Sequence, residues 1–392
     1  MRNMAGYFCG LLGILLATSL HAQTITGSMP FSPGDLILYR VGDSGDAAGT
    51  TASTDVWLDE YTEAGALLGS MEMPTNLAGA YNPLTAQGNS TSEGLLTISP
   101  NEQYLALTGY GVNPGSATPS TAASTADNRV VGIVNVSNGH LDTSTALTDA
   151  STASSFRSAI TTDGNSIWLS GGAGGVRYTT KGATTSTQLE ASPTNNRQVE
   201  IYPTAANPSG QLMFSTASGS SYRTAAVGSG LPTTSGQTVA TLPGTSGTAP
   251  SGPYAFVQLT LGSGTVPDTM YVADDGASMV EKWSLESGNW TLTGEEALTA
   301  PRGITAVETN GVVDLFVTTG SSAIITNIDE FTDASGLDGT FSSSTNTIVQ
   351  LAAGEQFRGI VDLTTVIPEP STVMLVAISL IGGLLTVRRR RS

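Results

Sequence analysis

Phe357-Arg358-Gly359-Ile360-Val361-Asp362-Leu363 reads as a β-strand that no further strands follow. It is apolar and β-branched, and what comes after it is a proline turn and a long apolar run rather than a hairpin partner. The opposite fragment lies at the other end of the chain. Residues 35–42, 55–61 and 66–73 read as three strands that lack a first. Joined, the two fragments make one four-stranded unit closed by both chain ends.

Between them the same order recurs five times, each set being four short β-rich runs separated by Gly, Asn, Asp and Ser turns. The sets are 95–99, 104–109, 130–136 and 141–147; 157–161, 167–170, 175–179 and 185–189; 198–202, 212–216, 222–227 and 238–242. Two more are 254–259, 270–273, 280–285 and 290–292, then 303–307, 314–318, 323–328 and 347–351. No helical period occurs before the tail. The expected fold is all-β: a six-bladed β-propeller in which the split unit closes the ring and protects the sheet edges. Seven blades is the rival count, because the loops at 77–93 and 110–128 are long. A β-helix or a pair of β-sandwiches leaves the split unit unexplained.

The first strands share a signature. Phe156-Arg157-Ser158-Ala159-Ile160, Pro301-Arg302-Gly303-Ile304 and Phe357-Arg358-Gly359-Ile360 each place an arginine at strand entry, and Arg197-Gln198-Val199-Glu200-Ile201 is a looser fourth. First strands line the channel of a propeller, so Arg157, Arg197, Arg302 and Arg358 are expected to ring one mouth. They would either brace neighbouring blades through carbonyls and carboxylates or bind an anionic ligand such as a carboxylated sugar. The brace is the favoured reading, since repeat units reuse structural contacts.

Composition narrows the chemistry. Outside Arg2, Glu369 and the four arginines at the C-terminus, ten basic residues face thirty-one acidic ones, a net charge near −21. Such a surface repels nucleic acid. The sole cysteine, Cys9, lies in the N-terminal apolar stretch, so the remainder has neither a disulfide nor a thiol nucleophile. His140 follows an Asn138-Gly139 turn and reads as a solvated turn residue rather than a general base. Gly171-Gly172-Ala173-Gly174-Gly175 lacks the Lys-Ser/Thr ending of a phosphate loop. Asp43, Asp46, Asp274, Asp275, Asp329, Asp333 and Asp338 are oxygen donors for calcium, but none has EF-hand spacing, so no cofactor is expected and calcium stays a minor alternative. Thr162-Asp163-Gly164-Asn165 with Trp168 is similar to the turn motif of sialidases, which would give Arg157, Arg302 and Arg358 the part of an arginine triad. That motif occurs once and brings no assignable Tyr/Glu pair, so Asp163-Gly164 reads as a strand-joining turn.

The two ends carry transport signals. Arg2, the apolar stretch from Met4 to Leu20 and Leu20-His21-Ala22 read as a secretory signal peptide over residues 1–22. At the other end, Pro368-Glu369-Pro370-Ser371 precedes a largely apolar run of sixteen residues at 372–387 and then Arg388, Arg389, Arg390 and Arg391. Sixteen helical residues span about 24 Å, short for a hydrocarbon core of about 30 Å, and the arginines favour the cytoplasmic side. Residues 366–392 resemble the PEP-CTERM sorting domain of exported proteins of Gram-negative bacteria. The resemblance implies recognition of Pro-Glu-Pro by exosortase, a membrane protease-transpeptidase that removes the tail, in a setting of exopolysaccharide production.

The expected organisation is a signal peptide at 1–22, an extracytoplasmic propeller at 23–365 and the sorting signal at 366–392. The expected role is a non-catalytic binding or structural module, held transiently in the membrane and delivered to the cell surface or matrix. Alternatives are a secreted enzyme cleaving carbohydrate or lactone in the channel, and a receptor that keeps its membrane helix.

Overall fold

A computed structural model describes residues 23–26, 28–219, 223–246, 250–341 and 345–363. The signal peptide expected at 1–22, Pro368-Glu369-Pro370-Ser371, the apolar run at 372–387 and Arg388 to Arg391 lie outside the described residues. Among those described, no helix is long and apolar enough to cross a membrane.

Six sheets form a six-bladed propeller. Blade I takes its inner strand from the C-terminal side, Gln356–Asp362, followed outward by Asp35–Val41, Val56–Thr62 and Leu67–Glu72. Blade II runs outward through Thr97–Ile98, Tyr104–Tyr110, Arg129–Asn135 and Leu141–Leu147. Blade III comprises Phe156–Thr161, Ser166–Gly171, Arg177–Thr180 and Thr187–Gln188, and blade IV Asn196–Tyr202, Gln211–Thr216, Thr224–Val227 and Val239–Thr241. Blade V comprises Pro253–Leu259, Thr269–Asp274, Met279–Glu286 and Asn289–Ala297, and blade VI Ile304–Thr309, Val312–Gly320, Ile325–Asp333 and Asn346–Gln350. The closure predicted from the orphan strand is present, with Leu36 opposite Asp362 and Val41 opposite Gln356.

Alternation explains why the strands read as nearly continuous apolar runs. On Asp35–Val41, Leu36 and Leu38 pack with Phe316 and Ile325 of blade VI, whereas Ile37, Tyr39 and Val41 pack with Leu84 and Leu105 on the blade II side. Both faces of a blade are therefore core. Among the described residues, six apolar clusters fill the six spaces between neighbouring blades. A buried ion pair also joins two of these walls: Lys282 of blade V meets Asp333 of blade VI at 2.7 Å with both side chains fully buried.

The Arg-Gly-Ile signature has a steric cause. A Cβ on Gly359 would sit 2.0 Å from Leu96 N, and one on Gly303 would sit 2.8 Å from Arg358 O. Neighbouring inner strands approach too closely there for any side chain, and the Gly359 N–H donates to Gly94 O at 2.9 Å.

Two features lie beyond the sequence reading. Gln23–Thr26 adds a fifth, parallel strand outside Leu67–Glu72. The long loops do not build a seventh blade. Instead Ser53–Thr54 pairs with Ala86–Gln87, and a 3-10 turn spans Pro119–Thr121. These segments fold over the end of the ring where the inner strands begin.

Candidate functional site

Strand direction sorts the charges. Inner strands run from an upstream mouth, where they begin, to a downstream mouth, where they end. Arg157, Arg197, Arg302 and Arg358 sit at upstream starts, and so do Arg129, Arg177 and Arg223, at the starts of third strands. Arg40 lies near the close of a second strand, opposite Phe357, which is the same end. All eight arginines of the body thus gather at one face.

The four arginines singled out from sequence converge on Tyr254. The Arg197 and Arg302 guanidinium carbons lie 3.5 and 4.2 Å from its ring centroid. Arg157 Nη1 donates to Asn195 Oδ1 at 2.6 Å and Asn196 O at 3.1 Å, and Arg197 Nη1 donates to Gly252 O at 2.7 Å and Pro253 O at 3.0 Å. Each of these two therefore ties its blade to the entry of the next. Arg302 forms an ion pair with Asp275, and its Nε donates to Thr91 O at 3.1 Å. Arg358 is fully buried; its Nη1 donates to Gln356 Oε1 at 2.5 Å and its Nη2 to Gly88 O at 3.4 Å.

These contacts do not use up the donors. The Nε groups of Arg157, Arg197 and Arg358 are buried without a hydrogen-bond partner. Negative charge nearby is sparse. Asp275 engages Arg302, while Glu93 is buried, accepts from the Tyr110 hydroxyl at 2.6 Å, and is itself raised by burial. Burial, reinforced by neighbouring guanidiniums, pushes Arg197 down to about 10; burial, with Arg302 adding to it, does the same to Arg358. Arg157 is lowered by burial as well. The upstream mouth holds more cation than its surroundings neutralise.

The downstream end of the channel has the opposite character. A cavity of about 260 Å³ is lined by residues from the inner strands of blades I, IV, V and VI and from the 98–102 segment of blade II. It carries Asp362, Glu200 and Glu102, walled by Ile98, Leu259 and Ile304, and its lining contains no basic residue. Sequence reading passed over Asp362 and Glu200. Their signal was a polar residue near the downstream end of a first strand, where the channel rather than a blade face receives it.

The remaining sequence candidates occupy structural posts. His140 is exposed. Asp163 Oδ1 accepts from Asn165 N and Ser166 N in a strand-joining turn whose Gly164 has φ +74°. Gly171–Gly175 begins as strand and ends in two left-handed glycines that turn into the third strand of blade III. Among the calcium candidates, Asp43 Oδ1 accepts from Gly45 N and Asp46 N, and Asp46 Oδ2 from Asp55 N. Asp274 caps the turn at Ser251 and Gly252, Asp329 accepts from Thr319 and Thr347, Asp333 pairs with Lys282, and Asp338 is exposed. Among the described residues, no three His, Cys, Asp or Glu side chains are grouped to hold a metal ion.

Comparison with known proteins adds two findings. No curated protein matches the sequence. Among solved structures, a chain of a nidogen/laminin complex is 12% identical and covers 85% of this chain and 100% of its own, with a TM-score of 0.51. Virginiamycin B lyase from Staphylococcus aureus is 15% identical over 81% and 90% of the two chains, with a TM-score of 0.42. The periplasmic gluconolactonase of Pseudomonas aeruginosa is 9% identical over 82% and 99%, with a TM-score of 0.38. These likenesses concern fold alone. Residues 366–391 match the PEP-CTERM protein-sorting motif, which implies an exported, exosortase-sorted protein with a propeller body and a surface or extracellular destination.

Proposed function

We propose that this protein is a non-catalytic binding module of the cell surface or extracellular matrix, and that its upstream mouth takes a carboxylated ligand such as an acidic segment of exopolysaccharide. The supporting observation is the gathering of Arg157, Arg197, Arg302 and Arg358 around Tyr254 with three Nε donors unpartnered. A carboxylate is a planar acceptor suited to guanidinium forks, and it would supply the charge that this mouth lacks. Arg302 and Arg358 serve first as braces; Arg157 and Arg197 are only half-buried and are the groups a ligand reaches. Export through an N-terminal signal, exosortase processing and a transient membrane stage of the tail complete this reading.

Calorimetric titration with glucuronate oligosaccharides tests it. Binding should weaken at least tenfold in the Arg157→Gln, Arg197→Gln double variant and be absent for neutral oligosaccharides; equal affinity in wild type and variant would reject the reading. A second reading, a carbohydrate- or lactone-cleaving enzyme, draws on Asp362, whose carboxyl is raised to about 7 inside the downstream cavity. Turnover on a panel of glycans and lactones, abolished in Asp362→Asn, would establish it. Tail peptides recovered from the mature surface protein would instead mark a permanently anchored receptor.

A further inference from the structure

Asp362 is the most poorly satisfied group in the downstream cavity. It is 6% exposed, and neither carboxylate oxygen has a hydrogen-bond partner. Only its backbone is held, through Asp362 N to Thr305 Oγ1 at 3.0 Å. The charged groups that act on it are Glu63, Glu102 and Asp35, all acidic. Glu200 lies on the inner strand of blade IV, across the ring from blade I. It is buried among the same walls, and its Oε1 accepts only from Gln198 Nε2 among side chains, at 2.8 Å. The eight arginines that could have compensated these carboxylates all stand at the other end of the blades. A buried carboxylate without a partner is costly, and a site retains one most readily when its partner arrives from outside.

We propose that the downstream cavity binds a small organic cation, a protonated amine seated against Asp362 with the buried Glu200 carboxyl as a second oxygen acceptor across the axis. Its carbon body lies against Ile304, Leu259 and Tyr202. The chemistry favours an ammonium over a metal ion. The unpartnered oxygens belong to one side chain and the walls are largely apolar, whereas calcium wants six to eight oxygen ligands. It favours an ammonium over a neutral alcohol because the surrounding charges are all of one sign. This site is separate from the arginine mouth and stands or falls without it.

Burial first, then Glu63, Glu102 and Asp35, raise the Asp362 carboxyl to about 7, so the charged form that attracts the amine is lost as the pH falls through neutrality. The probes are butylammonium, butanol and calcium chloride, titrated into the purified protein and read by calorimetry and by ligand-observed NMR. Butylammonium should bind saturably at pH 8, about tenfold more weakly at pH 6, and at least tenfold more weakly in Asp362→Asn. Glu200→Gln, which leaves the closing strand untouched, should weaken it by a smaller factor. Undiminished binding in both variants, equal binding of butanol, or displacement of butylammonium by micromolar calcium would overturn the proposal.

Discussion

The two mouths of the channel face the same problem with opposite signs. Upstream, arginines are packed beyond what Glu93 and Asp275 neutralise, and much of the deficit is met by carbonyls of the neighbouring blade and of the loops folded over them. Downstream, carboxylates are packed without any cation in the cavity lining, and neither Asp362 carboxylate oxygen has a hydrogen-bond partner. The difference lies in hydrogen-bonding capacity. A guanidinium presents five donors and finds acceptors in any exposed backbone carbonyl, whereas a carboxylate at the end of an inner strand needs N–H or O–H groups that the ladder has already used. Cations can therefore serve as structure in a propeller mouth, while anions there remain available.

The strongest way to break this comparison is to remove a brace. Arg358→Ala should destabilise the protein by about 3–5 kcal/mol in urea unfolding, because it removes a cation that acts on the buried Glu93 and opens a void under Gly88. A loss under about 1 kcal/mol would mean that the upstream arginines are not structural. The opposite sign is expected downstream. The Asp362 carboxyl is raised to about 7 in the fold, against about 3.9 when unfolded. The native state therefore binds the extra proton between these values, and stability declines as pH climbs from about 4 to above 7. Asp362→Asn should accordingly gain roughly 2–4 kcal/mol at pH 8 and almost nothing at pH 4, read from melting curves at both values. A variant that gains no more over wild type at pH 8 than at pH 4 would remove the contrast. The smallest effect belongs to the rim. Lys181, 45% exposed and 4.0 Å from Asp142, should change stability by less than about 0.5 kcal/mol when replaced by alanine.

Much of this architecture could be read from residues, and the parts that could not share a reason. The ring closure was legible because Phe357-Arg358-Gly359-Ile360 reads as a strand yet has no hairpin partner beside it in sequence. The arginine entries were legible because they repeat. Gln23–Thr26 was not, since four residues following an apolar stretch carry too little pattern to reveal a parallel partner 46 positions later. Asp362 and Glu200 escaped notice because alternation assigns each strand residue to a blade face and is silent about the channel. The gathering of all eight arginines could have been found: given four antiparallel strands per blade, residues at the start of first and third strands and at the end of the second must share a side. The roles of the arginines were harder to read, because a brace and a ligand site use the same side chain.

The strand Gln356–Asp362 also sets a timetable. Asp35–Val41 leaves the ribosome early, but its hydrogen-bonding partner is among the last parts of the body to be made, some 320 positions later. Until it arrives, blade I has an open inner edge and the ring cannot lock. A chain bound for another compartment gains from that delay, since a barrier is crossed more easily by a polypeptide that has not yet closed on itself. The step that seals the fold comes immediately before the segment by which the protein is sorted.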